Sequence, residues 1–266
     1  MKTVTTAAVS DHYDSMARVY RYFWGEHLHH GLFISGDEPP RHAQEQMLEF
    51  CARKLALSQG AAVLDVGCGY GGTAVYLARN FNARVTGITL SRKQVEFASN
   101  SARRCGVHER VRFLVADAEH YPFGESNYDV VWTMESSEHF HDRPAFFKKA
   151  ANALQPQGKL LVAAWTSACP DGSLAPLAEA ALCQQFARPT DYAEQVRAAG
   201  LRVLVLQDLT QHVIRTWEIC RRRAQLVRPF KVLFPQAARD FAPVINLMLC
   251  AFETGALSYT VLVAQK

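Results

Sequence analysis

Apolar and polar positions along this chain repeat with two different periods. Between 61 and 165, short apolar runs of strand character at 61–66, 83–88, 110–116, 128–134 and 158–165 stand out. Most are separated by segments whose apolar residues recur at helical spacing, 72–80, 92–105 and 143–154. Strands divided by helices at this spacing predict a parallel sheet covered on both faces. Upstream, Pro39-Pro40 breaks the chain, and 41–57 carries an apolar stripe (Met47, Leu48, Phe50, Cys51, Leu55, Leu57) that reads as a helix closed by Gly60. Downstream, 174–186 and 190–199 read as helices, the second ended by Gly200, and 201–206 and 259–264 as strands. The stretch 208–255 is too long for a loop and is patterned for helices.

The first strand stops at Asp65-Val66 and enters Gly67-Cys68-Gly69-Tyr70-Gly71-Gly72, four glycines in six positions, before the helix at 72–80. Strand, glycine turn and helix together describe a nucleotide-cofactor pocket. Side chains would hold the ligand off the backbone, and the first helical N–H groups point their unpaired hydrogens into the turn. A dinucleotide site carries an acidic residue on the ribose about 20 residues further on. Here Thr89-Leu90-Ser91 ends the second strand without a carboxylate, which counts against a nicotinamide. Asp65 is placed to orient the loop, to answer the cationic end of a ligand, or simply to cap the turn.

Ligands on such sheets bind beyond the carboxyl ends of the strands. The fourth strand delivers Glu135-Ser136-Ser137-Glu138-His139-Phe140-His141 to that edge, the densest titratable cluster of the chain. His139 titrates near neutrality with little adjustment. Glu138 beside it is suited to orient the imidazole, or to take a proton itself if burial raises its pKa. A capping loop for the helix beginning near Pro144 is the alternative. Earlier, 11–24 is rich in aromatics (Tyr13, Tyr20, Tyr22, Phe23, Trp24), and Gly25-Glu26-His27-Leu28-His29-His30-Gly31 follows. A structural zinc needs four ligands, and no cysteine lies near these histidines, so no metal is expected.

Composition narrows the classes. With 266 residues, 49% of them hydrophobic and a net charge of +4, the chain suffices for one large α/β domain and gives no case for nucleic acid. Seven cysteines at 51, 68, 105, 169, 183, 220 and 250 show neither metal spacing nor a disulfide framework. That pattern, with no apolar leader in Met1-Lys2-Thr3 and beyond and no run of membrane length, suits the cytoplasm.

Three separated motifs, 63–72, 85–91 and 134–140, resemble in order those of the class I S-adenosylmethionine-dependent methyltransferases. They are most similar to the tocopherol and coclaurine-type small-molecule branch and, further off, to the cyclopropane fatty acid synthases. The likeness runs from about 20 to 165 and fades beyond. It implies a Rossmann-like seven-stranded, mostly parallel sheet with helices on both faces, 201–206 and 259–264 forming its antiparallel hairpin. It also implies a helical N-terminal cap within 1–57, a cofactor-binding core at 58–207 and 256–266, and a helical substrate cover at 208–255, all in one domain. The cofactor is then S-adenosyl-L-methionine, released as S-adenosyl-L-homocysteine. Its partners would be Asp65, Gly67 and Gly69 at the turn, Thr89, Leu90 and Gln94 at the ribose or carboxylate, and Asp117 and Ala118 at the adenine. Met134, with Glu135, would meet it through backbone atoms, and His29 and Gly31 would lie near its methionine end.

By the same resemblance Glu138 and His139 flank the transferring methyl, and Tyr20, His30, Trp165 and Phe252 face the acceptor. The inner face of 208–255 (Phe241, Val244, Leu247, Met248, Phe252) suits a lipophilic small molecule, whether phenol, ring carbon or amine. A lipid enzyme of the cyclopropane synthase type is the alternative; that branch has a cysteine where His30 stands. A nucleic-acid methyltransferase lacks its Asn/Asp-Pro-Pro-aromatic motif after the fourth strand, and a non-catalytic binding protein would not need the Glu-His pair. Arg221-Arg222-Arg223, Arg228 and Lys231, interleaved with Leu226, Val227, Phe230, Leu233 and Phe234, fit peripheral contact with an anionic membrane or an ordinary solvated face.

Overall fold

The computed structural model describes residues 4–168 and 172–266, without the side chains of Arg18, Tyr22, Phe23, Phe230, Lys231 and Leu233. Residues 1–3 of the arm, Cys169 and the readings made above on those side chains lie outside the described residues. Seven strands form one sheet in the order β3-β2-β1-β4-β5-β7-β6. They are β1 (Ala62–Val66), β2 (Arg84–Thr89), β3 (Val111–Val115), β4 (Tyr128–Met134), β5 (Leu154–Ser167), β6 (Arg202–Asp208) and β7 (Leu257–Gln265). The first five run parallel, and β7 pairs antiparallel with both β5 and β6. This is the Rossmann-like arrangement expected, with the reversal of strand order between β1 and β4 marking where a ligand binds.

Each central strand is apolar on both faces because helices cover both. Val63, Val130 and Trp132 pack into one cluster, Leu64, Val66 and Val131 into the other. Helices α3 (Gly72–Asn80), α4 (Arg92–Arg104), α5 (Arg143–Ala153) and α7 (Pro189–Ala198) match the periodic segments closely. Strand β5 begins four residues before the 158 expected, and two helical boundaries also differ. Helix α2 (Pro40–Leu55) ends at Ala56 in a left-handed conformation, φ 47°, four residues before the glycine expected to close it. The segment 174–186 supplies only the short α6 (Ala175–Ala180), since its remaining apolar residues, Cys183 and Phe186, pack into the core from irregular chain.

Helix α1 (Thr6–Trp24) begins at Thr5, whose side chain accepts the Ala8 N–H, and lies over the carboxyl edge of the sheet. There Ser10 donates to the Leu90 carbonyl at 3.1 Å, and Ser91 donates to the Asp14 carboxylate. The stretch before β7 is helical, with α8 (Thr210–Val213), α9 (Arg215–Val227) and α10 (Gln236–Glu253). Val244, Met248 and Phe252 share one i, i+4 row of α10 and are buried, whereas Leu247 is 53% exposed. Leu247 therefore does not belong to the inner wall expected of it. Leu226 and Val232 are also exposed, beside Arg222 and Arg228. No helix among the described residues is long and apolar enough to cross a membrane.

Candidate active site

The glycine turn is shaped by what packs beneath it. Gly67 has φ 76°, and a Cβ there would sit 2.3 Å from the Ser136 Cβ, so only glycine lets β1 turn against the loop after β4. Ser136 is pinned by donating to the Val66 carbonyl at 2.9 Å. The turn opens onto a cavity along the carboxyl edge, under α1 and against α9 and α10. Fourteen of the expected residues line it: Tyr20, His29, His30, Asp65, Gly67, Gly69, Thr89, Leu90, Gln94, Asp117, Ala118, Met134, His139 and Trp165.

Asp65 is 3% exposed, and burial pushes its carboxyl up to about 7, with Oδ2 lacking a hydrogen-bond partner. An orphaned carboxylate oxygen beside a glycine turn calls for a donor or cation from a ligand. The cationic amino-acid end of S-adenosylmethionine fits that demand. Thr89 and Gln94, expected on the ligand, also meet each other, Thr89 Oγ1 donating to Gln94 Oε1 at 2.5 Å. Asp117 accepts from the Glu119 N–H at 2.9 Å and lies 2.8 Å from His120 Nδ1, so part of its capacity is spent on its own turn.

Three expected residues do not line the cavity. Gly31 is packed into α2, where a Cβ would come 2.7 Å from the Ala43 Cβ, and its N–H donates to Thr216 Oγ1 at 3.1 Å. Phe252 lies behind His30, ring centroids 5.9 Å apart. Glu138 is 1% exposed and turned toward β5, accepting the Trp165 N–H at 2.7 Å and the Ser137 hydroxyl at 3.3 Å. Burial pushes its carboxyl up to about 8. It does not orient its neighbour as expected. His139 Nδ1 donates to the Leu182 carbonyl at 2.6 Å, and Nε2 lies 3.4 Å from the Tyr13 hydroxyl of α1. Burial lowers the His139 pKa and favours a neutral ring.

Glu135, expected to act through its backbone, instead brings its carboxylate to His30. Oε1 accepts the His30 N–H at 2.8 Å and the Tyr259 hydroxyl at 2.8 Å, and Oε2 lies 2.9 Å from His30 Nδ1. Burial works against ionisation of Glu135, but the attraction of the His30 ring for a carboxylate and the hydrogen bonds that His30 donates outweigh it and hold the carboxyl below its ordinary value. The Glu135 backbone has φ 52°, a left-handed conformation uncommon for a side chain larger than glycine. His30 sits in a box of Trp165, Trp217, Phe252 and Tyr259, with ring centroids 5.3–5.9 Å away. The sequence names Glu135 in its densest titratable cluster; that its side chain meets His30 was not readable. Trp217 and Tyr259 carried no local signal of a role at the site.

Several known proteins are similar to this chain. The chain is similar to 27-O-demethylrifamycin SV methyltransferase of Amycolatopsis mediterranei (strain S699), 30% identical over 100% of this chain and 99% of that one. It is 29% identical to a probable chloroplastic tocopherol O-methyltransferase of Oryza sativa subsp. japonica, over 96% of this chain and 76% of that protein. Among solved structures, the [4+2]-cyclase SpnF superposes with a TM-score of 0.87 at 25% identity, over 98% of this chain and 97% of that one. The cyclase shows that this fold also hosts other chemistry, so the reaction must be argued from the site. The family model of mycolic acid cyclopropane synthetase matches residues 1–228. With the glycine turn, the orphaned Asp65 and the cavity between them, the chain belongs to the mycolic acid cyclopropane synthetase family of S-adenosylmethionine-dependent methyltransferases.

Proposed function

We propose that the protein methylates a lipophilic small molecule, with the cofactor along the glycine turn and the acceptor at the aromatic end of the same cavity. The carrying observation is the continuity of that cavity. It runs from Asp65 and Gly67 past Met134 and Ser136 to Trp165, Trp217 and Phe241 without leaving the shelter of α1. S-adenosylmethionine supplies an electrophilic methyl carried on a sulfonium. The chain's own task is to hold the acceptor in near-attack geometry and to keep water out. Asp65 anchors the cationic end, and Thr89, Gln94 and Asp117 offer polar atoms along the rest of the nucleotide. His139, neutral and facing the cavity, offers Nε2 on the α1 side. The compounds in the relatives' names, tocopherol and 27-O-demethylrifamycin SV, are of the lipophilic kind that an aromatic pocket accommodates.

Calorimetric titration with S-adenosylhomocysteine and, separately, with NAD tests the cofactor half. Binding of the sulfur nucleotide alone is expected, and binding of NAD alone would overturn the reading. A product mass screen with S-adenosylmethionine over phenols, alcohols, amines and unsaturated fatty acyl chains tests the acceptor half. A net gain of one CH2 on a phenol, alcohol or amine is expected, whereas that gain on the unsaturated acyl chains alone, with loss of the double bond, would make the protein a lipid-cyclopropanating enzyme.

A further inference from the structure

The aromatic end of the cavity contains two buried polar atoms without partners. His30 is 2% exposed and Trp217 3%, and both line the cavity with their rings 5.4 Å apart. His30 Nε2 and Trp217 Nε1 have no hydrogen-bond partner among the described residues. Two contacts compete for the other ring nitrogen of His30. The Glu135 carboxylate at 2.9 Å requires Nδ1 to donate, while the Trp165 N–H at 3.5 Å would require it to accept. The shorter, charge-assisted bond decides. Nδ1 therefore carries a proton, and the neutral ring keeps its lone pair on the unpartnered Nε2.

The carboxylate is held from three sides, by the His30 N–H, His30 Nδ1–H and the Tyr259 hydroxyl, so it fixes both the tautomer and the tilt of the imidazole. The same logic orients the histidine of a serine hydrolase triad. A purely structural ion pair would not need the remaining nitrogen to be buried, unpaired and at a cavity. The orphans also specify a ligand group. Nε2 needs a donor and the Trp217 N–H needs an acceptor, and one hydroxyl is both. An aliphatic amine, protonated at neutral pH, has no lone pair for the Trp217 N–H, and a tertiary amine or an alkene satisfies at most one of the two.

We propose that His30, held by Glu135 and Tyr259, is the base that takes the proton of an acceptor hydroxyl, and that the protein is an O-methyltransferase of lipophilic alcohols or phenols. This rests on the methyltransferase reading above and adds the atom that is methylated. In the step, the O–H bond breaks, an N–H bond forms at His30 Nε2, and the electron pair stays on oxygen, which forms the O–CH3 bond as the methyl's C–S bond breaks and that pair stays on sulfur, leaving neutral S-adenosylhomocysteine; His30 afterwards releases its proton to water. The imidazolium that results faces the Glu135 carboxylate, which compensates its charge. His30 is the catalytic residue here; Glu135 and Tyr259 are positioning residues.

Two measurements test the proposal without knowing the natural acceptor. The first is nitrogen NMR of the histidine-labelled full chain, in which His30 is assigned by its loss in His30→Gln. Nδ1 protonated with Nε2 bare is expected, and the reverse tautomer would overturn the assignment. The second uses 4-nitrophenol as the probe, in the presence of S-adenosylhomocysteine and in buffer below the probe's own pKa. Bound probe is expected to show about tenfold more phenolate absorbance in the natural chain than in His30→Gln or Glu135→Gln, the size of shift an opposite charge at contact distance produces. Both variants should bind S-adenosylhomocysteine within about threefold of the natural chain, since neither side chain is placed on the nucleotide and the Glu135 backbone is kept. Equal ionisation in chain and variants, or no binding of the phenol to the S-adenosylhomocysteine complex, removes His30 as the base and leaves the methyltransferase reading intact. Failure of the natural chain to bind S-adenosylhomocysteine removes that reading instead, and the tautomer then stands or falls on the NMR alone.

Discussion

At the glycine-turn end of the cavity, Asp65, Gly67, Gly69, Thr89 and Gln94 come from two consecutive strand–helix units. At the aromatic end, His30 and Glu135 are 105 residues apart, and Glu135 and Tyr259 are 124 apart. The first end is made mainly of backbone shape, fixed by local sequence. The second is made of side chains that only the finished fold brings together. Local backbone geometry is demanding but generic, suiting a cofactor common to many reactions. Long-range side-chain contacts can change one at a time, suiting a site that selects its acceptor.

The largest effect expected from breaking this contrast is at Gly67. Gly67→Val places a branched side chain at φ 76° and within reach of Ser136, which has no room to yield because it is held between Val66 and Thr133. Loss of S-adenosylhomocysteine affinity by about 100-fold or more is expected in calorimetry, with a stability loss of roughly 3 kcal/mol in denaturant titration. Retained affinity would show that the turn's shape does not hold the cofactor.

Next in size is a pH effect behind the aromatic end. The Glu138 carboxyl is raised by burial from an ordinary value of 4.5 to about 8. Between these values the unfolded chain has released the proton and the folded chain keeps it. Glu138 therefore lowers stability progressively as pH rises through that window, and the loss levels off above about 8. Glu138→Gln keeps an acceptor for the Trp165 N–H and gains a donor toward Ser137, so it mimics the protonated acid. Urea titrations should find the variant little changed near pH 5 and more stable by about 3 kcal/mol near pH 8. A difference that does not vary with pH would mean that the carboxyl reaches water, and so the cavity, after all.

Asp65→Asn separates binding from stability at the cofactor end. Its carboxyl is raised to about 7 by burial, with one oxygen unpartnered, so an uncharged amide relieves the free protein while removing the anion that the ligand's cationic end requires. A roughly tenfold weaker affinity for S-adenosylmethionine is expected, together with an unchanged or raised melting temperature of the free protein. A lower melting temperature with normal affinity would assign Asp65 to the turn alone.

The same contrast explains what could be read in the chain beforehand. The β1 and β4 strands, the glycine turn and helices α3 to α5 were legible because their periodicity and breakers are local. Glu138 and His139 do not face each other because they stand in a single tight helical turn, Ser137–His139, that sends one side chain toward β5 and the other toward α1. Glu135 was visible as a carboxylate, but its left-handed backbone and its approach to His30 depend on β7 and the turn after α1. Leu247 was misassigned because a helical stripe covers more positions than the buried face finally uses.

The smallest effect concerns the cover shared by both ends. Asp14 on α1 accepts from Ser91, the N-cap of α4, and lies 3.4 Å from the Lys93 N–H, while Lys93 Nζ donates to the Asp14 carbonyl at 2.9 Å. A carboxylate at a helix N-terminus gains from the unpaired N–H groups there, by about 0.5–1 kcal/mol when partly exposed. Asp14→Ala should leave Ser91 able to cap α4, since its oxygen still accepts the Gln94 N–H at 3.0 Å, but should loosen α1 over the cavity. About two- to fivefold faster amide exchange confined to α1 is expected, with a similar rise in the S-adenosylhomocysteine off-rate. Faster exchange in α4 instead would place the role of Asp14 in capping that helix. An off-rate unchanged while α1 exchanges faster would mean that the ligand is retained by the sheet edge alone, and that α1 shelters the reaction without holding the cofactor.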